Sequence, residues 1–313
     1  MMSLRRYIGA FLVACVALAV GIALGNGPLQ GQSTKNDVKT LTGRNAALGN
    51  QLNAMRRGQL LTQAIDARVA PGLMRNRLAN KSVAIFVLPG VPEATVKAFH
   101  NAVTQAGGVP VITAQLSSKV ADPGQKTYVS SVAANASKGL HDLGKVSAGQ
   151  SYQVLGALLG RAYTGHGTSL TFDSEASHID GQLQGSNLVS LGGTPPRRAS
   201  LAILLSRGDH GTDAYTKASR IVETALVQGL AASCDGTVVV APPTSSEPGG
   251  LIQALQVTTP SPAHLATVDV SHSAAAYVTT IYALLGAAAG TSGHYGVVAG
   301  AAALPPGLTP ARR

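Results

Sequence analysis

Residues 82–88, SVAIFVL, followed by Pro89 and Gly90, decide the fold. A run this short, this apolar and this rich in β-branched residues reads as a strand buried on both faces. Pro92 and Glu93 then open a helix with Val96, Phe99 and Val103 on one side, which closes at Gly107-Gly108, and Val109 to Thr113 forms the next strand. The unit is βαβ, and its crossover is expected to be right-handed.

Downstream the alternation returns. Strands are predicted at Leu201 to Leu205, Thr237 to Ala241 and Leu265 to Val270. The helices between and after them are a segment through Ala214, Ala218, Ile221, Val222 and Leu226, then Gly250 to Leu255, then Ala274 to Ala289. Strands alternating with helices imply an α/β fold, a mostly parallel sheet covered on both faces in three layers, over residues 81–292. Between 117 and 200 only Tyr152 to Tyr163 reads as helix, and TGHGTS, LQGSN and LGGTPPRR mark long loops. Residues 293–313 are rich in Gly, Ala and Pro and are expected to be irregular, with a mobile end.

Upstream of the strand lies a helical stalk, residues 33–80. Val38, Leu41, Asn45, Leu48, Leu52 and Met55 alternate three and four apart, a coiled-coil pattern in which Asn45 takes an a-type position that fixes register in a two-stranded state. The run is under three heptads, and Gly43 and Gly49 weaken it, so a single amphipathic helix is the competing reading. A second helical piece, Leu60 to Val69, is predicted to end at Pro71-Gly72.

Residues 1–32 set the location. Tyr7 to Gly25, YIGAFLVACVALAVGIALG, carries no charge. At about 1.5 Å per residue it reaches about 28 Å, close to the apolar thickness of a bilayer. It is expected to form a single transmembrane helix. Arg5 and Arg6 precede it and the next basic residue is Lys35, so the positive-inside bias keeps the N-terminus cytoplasmic and exports the rest. The competing reading is a cleaved signal peptide ending near Ala23-Leu24-Gly25; either way the body is exported. Ala17, Gly21 and Gly25 fall four apart, a small-residue stripe that suits a helix dimer and is also what abundant Ala and Gly produce by chance. Together the helix and stalk point to a homo-oligomer. Asn26 to Gln32, NGPLQGQ, is a hinge.

The chain has 313 residues and a net charge of +10. Residues 1–80 hold ten Lys or Arg against Asp37 and Asp66, and the remainder has fourteen against twelve acids. The basic excess therefore belongs to the stalk and suits anionic headgroups or wall polymers. Nucleic acid is not an expected partner: the body lacks a basic excess and there is no Trp. Cys15 lies in the apolar span, which leaves Cys234 with no internal disulfide partner in the exported part.

A doubly wound sheet offers a crevice at the carboxyl ends of its strands. The loops that would line it are Leu88-Pro89-Gly90, Ser206 to Gly211, Ala241 to Pro243 and Ser271-His272. None carries a dinucleotide glycine fingerprint, a phosphate-loop lysine or a nucleophile elbow, so an enzyme is not expected and no catalytic or cofactor-binding residue is assigned. Arg207, Asp209 and His210 are the most polar cluster on a strand end, and a solvated loop accounts for them as well as a site does. The eight histidines, at 100, 141, 166, 178, 210, 264, 272 and 294, show no pair three or four apart on a helix face. Soft metal ions prefer sulfur, and beyond the start only Met55, Met74 and Cys234 supply it, so a metal site stays unassigned. A spanning β-barrel would need many alternating segments of about ten residues. Here the strands are solidly apolar, and a ring of N-terminal helices is the simpler source of a pore.

The opening SLRRYIGAFLVACVALAVGIALGNGPL, the stalk, KSVAIFVLPG, QAGGVPVITAQL and the late GHYG resemble the mycobacterial copper transport protein family, MctB, along nearly the whole chain. The N-terminal stretch carries most of the specificity. The resemblance implies a cell-envelope protein in copper efflux and copper homeostasis, described in the family as a channel-forming outer-membrane protein, with copper as the transported ion and no ligand motif to carry over. An alternative from another class is a non-enzymatic envelope scaffold that docks partner proteins through its stalk and α/β domain.

Overall fold

The computed structural model describes residues 66, 68–140, 150–167, 170–257, 263–270, 272–298, 301–302 and 304–308. Residues 63–313 cluster as one unit and 1–62 as another. The expected transmembrane helix Tyr7 to Gly25, the hinge Asn26 to Gln32, the heptads from Val38 to Met55, Cys15 and His141 all lie outside the described residues. Among those that are described, no helix is long and apolar enough to cross a membrane.

Strand β1, Ser82–Val87, is buried at every position. Its side chains alternate between two cores: Ala84 and Phe86 face one, Val83, Ile85 and Val87 the other. A strand with apolar cover on both sides needs layers on both sides, and the rest of the body supplies them. Helix α1, Glu93–Gln105, buries Val96, Phe99 and Val103 as its spacing predicts. It leads to β2, Val109–Leu116, which pairs parallel with β1. The strand runs three residues past the expected end at Thr113, because its outer part has a further partner.

That partner comes from the middle of the chain, where three helices precede a short strand. They are α2, Lys126–Ala136, α3, Ser151–Tyr163, and α4, Ser174–Gly185. Strand β3, Val189–Leu191, then pairs antiparallel with β2. Of these four elements only α3 was legible from the sequence. Strand β4, Leu201–Leu205, returns to the centre and pairs parallel with β1 on its free side. Helix α5, Ala214–Ala231, strand β5, Gly236–Val240, and helix α6, Leu251–Val257, follow in turn. Strand β6, Leu265–Val268, and helix α7, Ala274–Ala288, complete the predicted pattern. The sheet order is β3-β2-β1-β4-β5-β6-β7.

Three boundaries differ from expectation. The tail contributes β7, Gly293–Tyr295, parallel to β6, so these residues close a sheet edge instead of forming an irregular end. Residues 66 and 68–74 are helical, and the helix continues through Pro71 instead of ending there. Ala70, Met74 and Leu78 are buried in the core with β1 and α1, which makes this part of the expected stalk a component of the body. On α5, Ile221 is 72% exposed although the apolar spacing assigned it inward, and Arg220 and Glu223 are buried instead.

Helix termini follow ordinary capping chemistry. Asp173, Asp213 and Ser273 each accept a hydrogen bond from a backbone N–H three residues on, at 2.8, 3.0 and 3.0 Å. Above the α1 side of the sheet, Phe99 meets Tyr277 of α7 edge-on with centroids 5.0 Å apart.

Candidate functional site

The sheet order reverses between β1 and β4: from β1 the chain proceeds toward β2, from β4 toward β5. At such a point the two outgoing loops diverge and leave a crevice at the strand ends. A cavity of about 410 Å³ opens there, lined among others by Leu88, Pro89, Ser206, Arg207, Asp209, His210, Arg220 and Glu223. The structure thus brings together the first two of the four loops read from the sequence. The third loop packs against the second: a Cβ on Gly208 would fall 2.8 Å from Pro242 Cδ, and Thr244, just beyond the loop, donates from Oγ1 to the Gly208 carbonyl oxygen at 2.9 Å. His272 stands apart, with Nδ1 3.4 Å from Thr95 Oγ1, and Ser271 lies outside the described residues.

Gly90 makes the close packing possible. Its φ is +83°, and an added Cβ would fall 2.6 Å from Arg207 Cδ. The Arg207 side chain therefore lies across the backbone of the β1 loop, where a nucleotide-binding fold would place phosphate. Arg207 is held there by Asp209, with Nε donating to Oδ2 at 2.5 Å. His210 Nε2 stands 3.3 Å from Glu247 Oε2. Replacing Gly90 by alanine imposes a left-handed conformation and displaces a flexible side chain, so a loss of about 1 kcal/mol is expected. Thermal unfolding of the variant checks it, and an unchanged midpoint would contradict the close approach.

Beneath this surface pair lies a second one that the sequence reading missed. Arg220 Nη1 donates to Glu223 Oε2 within α5, and both side chains are under 10% exposed. Burial raises the Glu223 carboxyl to about 7, with the Asp209 charge adding to the rise and Arg220 and Arg207 opposing it. Its only sequence signal was two opposite charges three apart on an otherwise amphipathic helix, which is usually a solvated pair.

A further polar cluster sits at the β6–β7 edge. Asp269 is fully buried and accepts from the backbone N–H groups of Val297 and Val298 at 2.7 and 3.2 Å. His294 Nε2 lies 3.4 Å from Asp269 Oδ2, and its Nδ1 is 2.8 Å from Thr267 Oγ1. Burial lowers the His294 pKa and the Asp269 charge opposes it. Gly296, with φ +148°, would place a Cβ 1.6 Å from Asp269 Oδ1. The GHYG segment is therefore a fitted edge strand around one buried carboxylate.

No group of three or more His, Cys, Asp or Glu side chains that could hold a metal ion occurs among the described residues. The two described sulfurs lie in separate cores on opposite faces of the sheet, Cys234 in one and Met74 in the other. Cys234 Sγ is 3.1 Å from Thr237 Oγ1, and burial pushes its thiol up to about 11, which disfavours the thiolate that a metal would need. Of the other histidines, His166 Nδ1 lies 3.3 Å from Asp235 Oδ1 and His264 Nδ1 lies 3.1 Å from the Ala287 carbonyl oxygen.

Residues 1–306 match the family model described as "Copper transport outer membrane protein, MctB". The Copper transporter MctB of Mycobacterium bovis (strain ATCC BAA-935 / AF2122/97) is 28% identical over 138 residues. That alignment covers 42% of this chain and 43% of the relative. The same protein name and figures hold for Mycobacterium tuberculosis (strain ATCC 25618 / H37Rv). The aligned region thus spans less than half the length of these curated relatives. A match over nearly the whole chain, on a body whose KSVAIFVLPG, QAGGVPVITAQL and GHYG segments form β1 with its loop, β2 with its turn, and the β7 edge, is decisive: the chain belongs to the MctB family.

Proposed function

We propose that this protein acts in copper efflux across the cell envelope, with copper as its cargo. The family match over residues 1–306 carries the reading. The body contributes no covalent chemistry in this account. Its crevice charges are paired with one another, Arg207 with Asp209 and Arg220 with Glu223, and its two sulfurs are enclosed in separate cores. Copper movement is therefore assigned to an assembled form of the chain, in which Tyr7 to Gly25 holds each copy in the membrane and several copies line the path. The exported α/β body is the part that assembles or gates it.

Disrupting the gene is expected to raise cell copper at a fixed external concentration and to lower copper tolerance severalfold, with recovery on return of the full chain. Unchanged tolerance and copper content would remove the copper reading. Conductance across a planar bilayer tests the finer claim. A full chain that restores tolerance and yet gives no conductance would leave copper efflux standing without a channel.

A further inference from the structure

The floor of the crevice between β1 and β4 is the Arg220–Glu223 pair, whose side chains are 9% and 8% exposed. The pair itself uses Arg220 Nη1 and Glu223 Oε2. Among the described residues no group donates to Glu223 Oε1, and that oxygen is not one of the buried polar atoms sealed from solvent without a partner. It therefore stays open to the crevice that its residue lines. A carboxylate oxygen in such a place, on a side chain held by burial, is an acceptor without a donor.

The charges around the floor restrict what that donor can belong to. Arg207 and Asp209 form a second pair on the same crevice. An anion would meet the carboxylates of Asp209 and Glu223, and a cation the guanidinium groups of Arg207 and Arg220. A neutral ligand leaves both pairs intact, and breaking a buried pair leaves an uncompensated charge. The wall beside them is hydroxylic, with Ser118, Ser206, Thr216 and Ser219. Each of these hydroxyls can both donate and accept. Tyr215 also borders the crevice. It is 61% exposed, with its hydroxyl donating to Asp122 Oδ1 at 3.3 Å, so a large apolar ring is held in water beside a polar cleft.

From this geometry we infer that the crevice binds a neutral sugar: a ring hydroxyl donates to Glu223 Oε1, neighbouring hydroxyls exchange hydrogen bonds with the Ser206 and Ser219 side of the wall, and the apolar C–H face lies against Tyr215. A sugar combines no charge, several groups that donate and accept, and one apolar face, which is what this lining matches. The cavity, about 410 Å³, falls within the range of small-molecule sites, about 300 to 1,000 Å³. The inference stands apart from the copper reading, since it concerns a different ligand and its test does not involve copper.

The test uses the full chain in phosphatidylcholine nanodiscs and the methyl glycosides of glucose, galactose and mannose, read by saturation-transfer NMR and titration calorimetry. At least one is expected to bind saturably, with a Kd of about 1 mM or tighter. Its fully O-methylated form, with the same ring and no hydroxyl donor, is expected to bind about tenfold more weakly or worse. Glu223→Gln, which keeps the shape and removes the charge, is expected to weaken binding about tenfold, the loss of roughly one charge-assisted contact. Tyr215→Ala, at an exposed position, is expected to weaken it severalfold with an unchanged melting midpoint, and Tyr215→Phe to bind as the parent does. If Glu223→Gln alters folding, the two Tyr215 variants give the reading by themselves. Absence of saturable binding by all three glycosides, equal binding of the O-methylated form, or affinity indifferent to both Glu223→Gln and Tyr215→Ala would overturn the inference. So would competitive displacement of the glycoside by inorganic phosphate or by N-acetylalanine amide, a neutral donor without hydroxyls.

Discussion

Replacing Gly229 by alanine is expected to lower the melting midpoint of the body by about 6 to 12 °C, although alanine is the better helix former. The reason lies where α3 and α5 cross. An added Cβ on Gly229 would fall 2.0 Å from the carbonyl oxygen of Gln153, and one on Gly156 would fall 2.0 Å from that of Leu226. The two helices touch backbone to backbone, each through the other's glycine. Propensity favours the substitution by up to about 1 kcal/mol. Overpacking a core costs about 1 to 3 kcal/mol when side chains can move aside, and here the opposing atoms are main chain. The clash therefore wins by about 3 kcal/mol, and a body of this size loses about 2 to 4 °C per kcal/mol. Gly156→Ala should behave alike, and the double variant should cost less than the two added together, because both open the same crossing. Gly181 of α4 has nothing within 4 Å of an added Cβ, so Gly181→Ala is the control and should hold or raise the midpoint. Circular dichroism melts decide it: a Gly229→Ala midpoint equal to the parent's would mean that the helices are not in contact.

The second large effect is a pH dependence centred on Glu223. Its carboxyl is raised in the folded protein from 4.5 to about 7. A group whose folded pKa is raised contributes stability that is present in full below about pH 4.5 and is lost as pH rises through about 7. The expected loss across that window is of order 3 kcal/mol, at 1.36 kcal/mol per unit. Glu223→Gln keeps the shape and cannot ionise, so the difference in stability between parent and variant should change by that amount from pH 4 to pH 8 and be flat beyond. The groups facing Glu223 are Arg220 on its own helix and Arg207 and Asp209 from the β4 loop, with His210 and Tyr215 also bordering the crevice. His294 pulls the other way, since its lowered folded pKa costs stability as pH falls. The parent's own profile is therefore a sum, and the difference between parent and Glu223→Gln isolates one carboxyl. Denaturant titrations at several pH values measure it; parallel profiles for the two proteins would show that Glu223 does not titrate in this range.

These two predictions come from features of different legibility. Gly156 on α3 and Gly229 on α5 stand in the sequence, but nothing local says that either faces another backbone. Helical spacing leaves Arg220 and Glu223 unassigned and places Ile221 on the apolar face, because it assigns that face by majority. On α5 the buried stripe of Val222, Leu226, Val227 and Leu230 lies far enough round to carry Arg220 and Glu223 inward and leave Ile221 out.

Local order was enough for the parts that a local pattern can specify. A run such as SVAIFVL must be a strand covered on both faces, and its alternation with amphipathic helices leaves a mostly parallel α/β sheet as the consistent packing. Tertiary structure alone decided the rest: β3 beside β2, β7 at the far edge, and the reversal that opens the crevice at Gly90 and Arg207. Each depends on which distant segment fills the neighbouring space, and the free energy of that choice resides in contacts between residues far apart in the chain, where no window of sequence can register it.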